Sequence, residues 1–508
     1  MKNKVIANAS IVTGLSVAER SLGFLYRIVL SRLIGAEGLG LYQIALSLFG
    51  LFITIGTGGI PITVSRMISK AKAEGKPQGE KRAVGAGIAV CLLLTLPFAL
   101  LLFAFGGKMP FLFSDTRGFS VFRILLLGLS LSAVYAVIRG SFWGNKQFLL
   151  PSIIEVLEES VMVIAGILLL QNVSSPLSGA KKAAWAVVIS YVFSFSLSLL
   201  LFFIRGGKIS VPKKELKTLF NASLPITSVR ASTSLVTSAV AVLLPVMLMR
   251  SGLSETDALT MFGVVSGMVL PVLFVPSTII GSLALVLVPE LSEDFYKNNQ
   301  KRLRANLSRG LNASFLIACA LIPFFFALGE DLGAFAFSQP LAGKMIKNSC
   351  FILLPMSLTM ITNAMLNSMG FEKQTFAFYF LGAAVLIISI FVLPRFCGGY
   401  AYVIGLFASY VLTAVCSLIF LAKKCPVSKK RRGQVFVHEY FPAFFGTFPI
   451  ALFGKLLHHI LQLYTSTLLS VLLCTLAMAL VTLVYYFALG EITFPKPLFR
   501  KRKKAAKA

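Results

Sequence analysis

Acidic residues are scarce in this chain: 19 Asp and Glu stand against 48 Lys and Arg, and charged residues of both signs make up only 13% of 508 positions. With 57% hydrophobic residues, that shortage of charge excludes an ordinary water-soluble surface. Long polar connections are also missing. The longest gap between apolar runs is about twenty residues, which leaves no room for a soluble catalytic domain. Histidine is nearly absent, and His438, His458 and His459 are too few and too isolated for a metal centre. Cysteine is sparse and unpatterned: the seven, at 91, 319, 350, 397, 416, 425 and 474, lack paired spacing. They read as small apolar packing residues, with no disulfide framework or thiolate metal site. No nucleophile is paired with a base, and there is neither a zinc pattern nor a nucleotide loop, so no enzyme activity and no cofactor are expected.

What the chain has in abundance is apolar runs that exceed the roughly 20 residues needed to cross a bilayer. It reads as an all-α polytopic membrane protein with fourteen spans, near 7–33, 39–69, 83–106, 118–142, 149–171, 183–204, 218–249, 259–289, 304–328, 348–369, 375–394, 400–422, 436–459 and 465–489. Met1-Lys2-Asn3-Lys4 before the first run mimics a secretory signal. The run contains Arg20 and Arg27 and no convincing cleavage site, so it reads as an uncleaved first span.

With both termini in the cytoplasm, thirty-three of the 48 basic residues fall on inside connections and adjoining span ends, eight fall outside, and seven lie within spans. The positive-inside rule therefore fixes the orientation of a multi-pass membrane protein. The net charge of +29 is spread along loops facing anionic headgroups, which makes anionic lipids the expected partners and nucleic acid an unneeded one. Residues 491–508 form a basic cytoplasmic tail.

Asn8-Ala9-Ser10 recurs as Asn221-Ala222-Ser223. Just beyond, Thr13, Ser16 and Arg20 fall on Thr227, Arg230 and Ser234, one residue out of register, a slip that a distortion at Pro225 would absorb. A second echo pairs Gly144-Asn145-Lys146-Gln147, after span 4, with Gly370-Phe371-Glu372-Lys373-Gln374, after span 10. The repeat is then six spans. Six is even, so both copies enter the membrane in the same direction and form two lobes, 1–210 and 215–425, related by an axis along the membrane normal and facing a central cavity. Residues 435–490 add spans 13 and 14. Gly56, Gly58, Gly59 and Pro61 in span 2 and Pro271 and Pro276 in span 8 predict matched bends in corresponding helices. Gly35-Ala36-Glu37-Gly38-Leu39-Gly40 has no preceding strand and reads as a tight turn, not a phosphate loop.

Span 1 carries Ser10, Thr13, Ser16, Arg20 and Arg27 on one side. A charged side chain at the centre of a lipid-facing helix costs at least about 2.5 kcal/mol, so this face is expected to border a polar cavity. Arg20 lies about 18 Å of helix rise from Asn8, near mid-membrane, and Arg27 about 10.5 Å further out. Arg230, with Ser223, Thr227 and Ser234 on the same polar helix, reaches a similar depth in span 7. Guanidinium groups that stay charged and bind oxyanions bidentately suit a phosphate-bearing substrate. The alternative for the arginines is pairing with Glu19 or Glu155. For the hydroxyls it is bonding to their own helix. Glu155, Glu158 and Glu159 share a face of span 5. They form either a proton- or cation-coupling site or an internal ion pair with Arg139, Lys146 or Arg66.

Arg20-Ser21-Leu22-Gly23-Phe24-Leu25-Tyr26-Arg27, continuing as Arg32-Leu33-Ile34-Gly35-Ala36-Glu37-Gly38-Leu39-Gly40-Leu41-Tyr42-Gln43, resembles the opening of the stage V sporulation protein B group. That group belongs to the multidrug/oligosaccharidyl-lipid/polysaccharide exporter superfamily. Arg139-Gly140-Ser141-Phe142-Trp143-Gly144, then Pro151 and Glu158-Glu159, resembles the same group. The resemblance implies a two-lobed flippase for undecaprenyl-pyrophosphate-linked saccharides, a peptidoglycan precursor or a polysaccharide unit, with spans 13 and 14 helping to form a groove for the lipid tail. Arg20 is similar to the first-span arginine of related lipid II flippases. Their second arginine falls where this chain has Tyr26 beside Arg27, and the arginine they carry in span 8 has no counterpart. That departure favours a sporulation-type or polysaccharide flippase. Two rival readings stand beside it: a cation-coupled multidrug or small-solute antiporter using the span 5 glutamates, and a nontransporting scaffold that recruits cell-wall synthesis enzymes through basic loops and tail.

Overall fold

The computed structural model describes residues 2–105, 113, 115–425 and 440–489, with side chains from Ile11 onward except that of Leu285. Ser10, on the polar face of span 1, and the basic tail 491–508 thus fall on side chains or residues outside the described set. Among the described residues there are helices and no strand.

The first helix, α1 (Lys2–Thr57), is two helices fused at one residue: Gly35 has φ 69° and ψ 179°. A Cβ there would be strained, so glycine makes the turn between spans 1 and 2 with a single residue. Span 2 then breaks at Gly58 and restarts as α2 (Ile60–Ala73), with Pro61 near the start where its missing N–H costs nothing. Next come α3 (Pro77–Phe105), α4 (Thr116–Gly144), α5 (Leu149–Leu169), α6 (Pro176–Ile204) and α7 (Glu215–Arg250). Span 8 winds as α8 (Glu255–Gly263), a π-helical stretch Val264–Val269 and α9 (Leu270–Phe274); the helix then breaks at Val275 and Pro276, one of the two prolines at which a bend is predicted, before α10 (Ser277–Tyr296). The chain continues through α11 (Gln300–Phe337), α12 (Pro340–Ser349), a 3₁₀ turn Cys350–Ile352, α13 (Leu353–Ser368), α14 (Glu372–Val392), α15 (Pro394–Cys397) and α16 (Tyr400–Lys424). It ends with α17 (Phe441–Phe445), α18 (Thr447–Tyr464) and α19 (Thr467–Ala488).

Among the described residues, twelve segments are long and apolar enough to cross a membrane. One of them, Ile11–Ala73, contains the Gly35 turn and therefore two crossings. Helix α5 is as long as a span but carries Glu155, Glu158 and Glu159 in every 18-residue window. Both features bring the count toward the fourteen spans read from the sequence.

The helices form two compact units: Met1–Val272 with Ala336–Ala342 and Gly382–Ser409, and Leu273–Phe335 with Gly343–Leu381 and Tyr410–Ala508. Helices α7 and α8 pack on α1 within the first unit. Its core runs from Ile60, Val64 and Ile68 through Val90 and Ala133 to Ile138 and Phe202. The second unit is centred on Ile280, Leu291, Leu303, Ile361 and Leu366, with a satellite where Leu328 meets Ile450, Cys474 and Met478. The cysteines are free, and Cys91, Cys319, Cys350, Cys425 and Cys474 are buried.

The turns after α4 and α13 close in the same way. In one, Lys146 is left-handed (φ 60°) and the Gln147 N–H donates to the Phe142 carbonyl at 2.9 Å. In the other, Gly370 (φ 83°) precedes Phe371, whose N–H donates to the Leu366 carbonyl at 2.9 Å. This is the Schellman closure, and it aligns Lys146 with Gly370, a different register from the glycine-to-glycine match of the sequence echo.

Candidate functional site

The charged residues of span 1 meet those of span 5 inside the first unit. The Arg139 guanidinium, from α4, bonds the Glu155 carboxylate at 2.8 Å and lies over the rings of Trp143 and Tyr135, with centroids at 5.1 and 5.7 Å. Glu155 therefore has the internal partner that was one of its two readings. Glu19, on α1, faces Glu155, Arg20 and Arg139. One turn further on, Glu159 lies against α1 at Gly23. A Cβ on Gly23 would come within 2.7 Å of Glu159 Oε1, so glycine is what lets the carboxylate approach the helix. Arg27 is the cation facing Glu159, and it is half-buried. Glu158 turns toward α6, where the Ser194 hydroxyl lies against it.

Four carboxylates, two neighbouring guanidinium groups and several phenols thus converge from α1, α4, α5 and α6. Tyr26 and Tyr135 are 2% and 5% exposed. Their hydroxyls, Arg139 Nε and Glu158 Oε2 are buried and make no hydrogen bond among the described residues. The cluster keeps an excess of negative charge, because its acidic groups outnumber the cations that face them.

Arg20 is placed differently. It is exposed and makes no ion pair or hydrogen bond among the described residues, although Glu19 is its chain neighbour. Thr13 is exposed and Ser16 half-buried on the same helix.

The polar residues of span 7 are used for docking onto span 2. Thr227 Oγ1 accepts the Gly59 N–H at 2.9 Å, and Arg230 Nη1 donates to the Gly58 carbonyl at 3.0 Å. Both groups are backbone positions freed where span 2 breaks. Ser234 donates to Thr54 Oγ1 at 3.0 Å and Ser238 to the Ser47 carbonyl at 2.6 Å. Ser223 is buried and bonds the Phe220 carbonyl of its own helix at 3.2 Å. Arg230 remains exposed with its other donors.

Gly23, Tyr135 and Ser194 were not singled out from sequence. Gly23 had a signal, three residues from both Arg20 and Tyr26 on the polar stripe. So did Ser194, which with Ser190 and Ser198 makes a buried row at helical spacing.

Relatives with curated names share this chain's length as well as its pattern. Stage V sporulation protein B of Bacillus subtilis (strain 168) is 25% identical over 360 residues, 68% of this chain and 69% of its own. Lipid II flippase MurJ of the same organism is 23% identical over 424 residues, 76% of each chain. Among solved structures, the inward-facing conformation of a multidrug resistance MATE family transporter of the MOP superfamily superposes with a TM-score of 0.68. It does so at 15% identity over 82% of this chain and 98% of that one. The fold is therefore that of the multidrug/oligosaccharidyl-lipid/polysaccharide (MOP) exporters. Residues 5–295 match the sequence profile of the polysaccharide biosynthesis proteins, and the chain belongs to that family of multi-pass membrane proteins.

Proposed function

We propose that the protein is a flippase that moves an undecaprenyl-pyrophosphate-linked saccharide, a peptidoglycan precursor or polysaccharide repeat unit, from the cytoplasmic to the outer leaflet by alternating access. In this reading residues 1–210 and 215–425 act as two lobes, both termini are cytoplasmic, and residues 435–490 supply a groove for the lipid tail. The observation that carries it is Arg20: a guanidinium near mid-span, exposed and with no ion pair among the described residues. An unpaired charge at that depth needs an anion, and a diphosphate supplies one with the geometry a guanidinium prefers. Arg27 is the second contact, though it shares its charge with Glu159, and Arg230 offers the donors that Gly58 leaves unused. The name of the MurJ relative, a lipid II flippase, fits this substrate class.

The test is Arg20→Ala in vesicles carrying a labelled polyprenyl-diphosphate saccharide. Losing a charged contact of this kind costs about 3 kcal/mol or more, roughly a hundredfold in rate. Wild-type translocation at equal protein level would end the proposal.

The carboxylate cluster supports a coupling role for Glu155, Glu158 and Glu159, in which uptake of a proton or cation changes the balance against Arg139 and Arg27. The same cluster would serve a cation-coupled antiporter. Ion-gradient-dependent efflux of a cationic dye, lost in Glu155→Gln and Glu159→Gln, would favour that alternative over the flippase.

A further inference from the structure

The second unit contains a cavity of about 170 Å³ lined by Ile322, Phe326, Phe351, Phe448, Ala451 and Lys455, among others. Its walls are aromatic. Phe326 and Phe351 stand 6.4 Å apart between centroids, Phe351 and Phe448 6.2 Å, and Phe448 continues to Phe444 at 5.7 Å. An apolar cavity of about 150 Å³ holds a molecule the size of benzene, so this one takes a short stretch of hydrocarbon chain.

Lys455 is the one charge on that lining. It is exposed and has no hydrogen bond or ion pair among the described residues; the carboxylate it faces, Glu330, is shared with Lys347 and Lys344, so three ammonium groups stand against one carboxylate. The two carboxylates at the neighbouring end of α11 are already engaged. Glu330 bonds Lys347 at 2.8 Å, while Asp331 bonds His458 at 2.9 Å and Gln462 at 3.1 Å. Lys455 precedes Tyr464, the last residue of α18, by nine positions, about 13.5 Å of rise. That is close to half the hydrocarbon thickness of about 30 Å. An ammonium there reaches toward the headgroups along its own stem, and it is stabilised if a phosphate is drawn down to meet it.

We propose that this cavity binds an anionic phospholipid, with part of one acyl chain seated against Phe326, Phe351 and Phe448 and the phosphate on Lys455. A zwitterionic headgroup brings its own cation and leaves the ammonium uncompensated. A net-anionic one neutralises it. The site shares no residue with the Arg20 face, and three of its lining residues, Phe448, Ala451 and Lys455, lie in the stretch 435–490 proposed above for the lipid tail.

The test places a reporter on the wall. Phe448→Trp in the full-length protein is reconstituted in vesicles containing phosphatidylglycerol or phosphatidylcholine with brominated chains, and quenching of the two native tryptophans is subtracted with the unsubstituted protein. Taking the attraction of one lysine to a net-anionic headgroup as about fivefold in association, brominated phosphatidylglycerol is expected to quench with about fivefold higher apparent affinity. Lys455→Met should remove that preference and Lys455→Arg should keep it. If Lys455→Met does not reconstitute, Ala451→Leu, which fills the cavity and leaves Lys455 in place, is expected to remove the difference in quenching between the two lipids. Equal quenching by the two lipids, a preference that survives Lys455→Met, or a difference unchanged by Ala451→Leu would overturn the proposal. So would displacement of phosphatidylglycerol by substoichiometric polyprenyl diphosphate, which would assign the cavity to that lipid.

Discussion

Spans 1 and 7 are both unusually polar, and their polarity is spent in different ways. On span 1, charge meets charge: Glu19, Gly23 and Arg27 receive the carboxylates of α5 and the guanidinium of α4, and Arg20 is left over. On span 7, Thr227, Arg230, Ser234 and Ser238 bond four successive levels of span 2. Hydroxyl groups satisfy a neighbouring backbone cheaply and cannot hold a net charge. Guanidinium and carboxylate groups do the reverse: they cost more to bury and keep a field that a ligand can feel. The polar stripe is therefore a docking seam on span 7 and a charged face on span 1.

The largest stability effect is expected at the ion pair that anchors the charged face. Arg139→Ala leaves Glu155 uncompensated and removes the cation from Tyr135 and Trp143. A fully buried pair broken on one side costs about 3–5 kcal/mol. Here the side chains are 29% and 23% exposed, so about 2 kcal/mol is the expected loss, read as a lowered thermal midpoint in detergent. The double replacement Arg139→Met with Glu155→Met should recover most of it, since no charge is then left alone. If Arg139→Ala is neutral, the face is not held together by charge.

Span 7 should respond in smaller steps. Thr227→Val deprives the Gly59 N–H of its acceptor at the start of α2, a loss of about 1 kcal/mol. Ser234→Ala removes a donor from Thr54, whose hydroxyl still bonds the Gly50 carbonyl at 2.6 Å, so about 0.5 kcal/mol is expected. Thermal midpoints of the two variants, measured beside Arg139→Ala, give the order directly. A larger loss for Ser234→Ala than for Arg139→Ala would reverse the assignment of roles.

Much of this was legible beforehand, for reasons that differ by residue. The spans follow from hydropathy, because lipid permits only backbone that satisfies itself. Gly35 and the Gly58-Gly59-Pro61 break follow from what glycine and proline do to φ. The i, i+3, i+4 spacing of Glu155, Glu158 and Glu159 fixed a shared face, but the choice of Arg139 over Lys146 or Arg66 needed the crossing of α4 and α5. Whether Thr227 and Ser234 face a cavity or a helix is likewise a question of neighbours, and the break in span 2, which supplies their partners, lies about 170 residues away in the chain. Period identifies a stripe, and only packing says what covers it.

Gly23→Ala separates the two kinds of effect. Alanine in a helix interior is favoured over glycine by about 1 kcal/mol. The new methyl would meet Glu159 Oε1 at 2.7 Å, and a carboxylate at the end of a flexible side chain can move. Stability should therefore change by less than about 0.5 kcal/mol, with the gain and the displacement offsetting. Glu159 is pushed off α1, so transport should fall modestly, about threefold, with its pH profile shifted while the thermal midpoint stays put. A lowered midpoint with an unshifted profile would make Gly23 a packing position only.

The smallest effect is expected at an ion pair of nearly the same length in the connection between α2 and α3. Lys76 Nζ lies 2.9 Å from Glu74 Oε2, with side chains 70% and 39% exposed. The Lys76 hydrogen bond holds the Glu74 carboxyl below its ordinary value of 4.5. Any stability it adds is therefore present above that value and is lost as pH falls through the depressed one. Between pH 5 and 8 the pair is fully formed, and water screens it. Glu74→Gln should leave the thermal midpoint unchanged across that range, whereas Arg139→Ala lowers it throughout. Equal losses from the two would mean that contact distance, and not burial, sets the strength of the pair on the charged face. The contrast between spans 1 and 7 rests on burial, because only where water is excluded does a charge left without its partner cost more than a hydroxyl left without its bond.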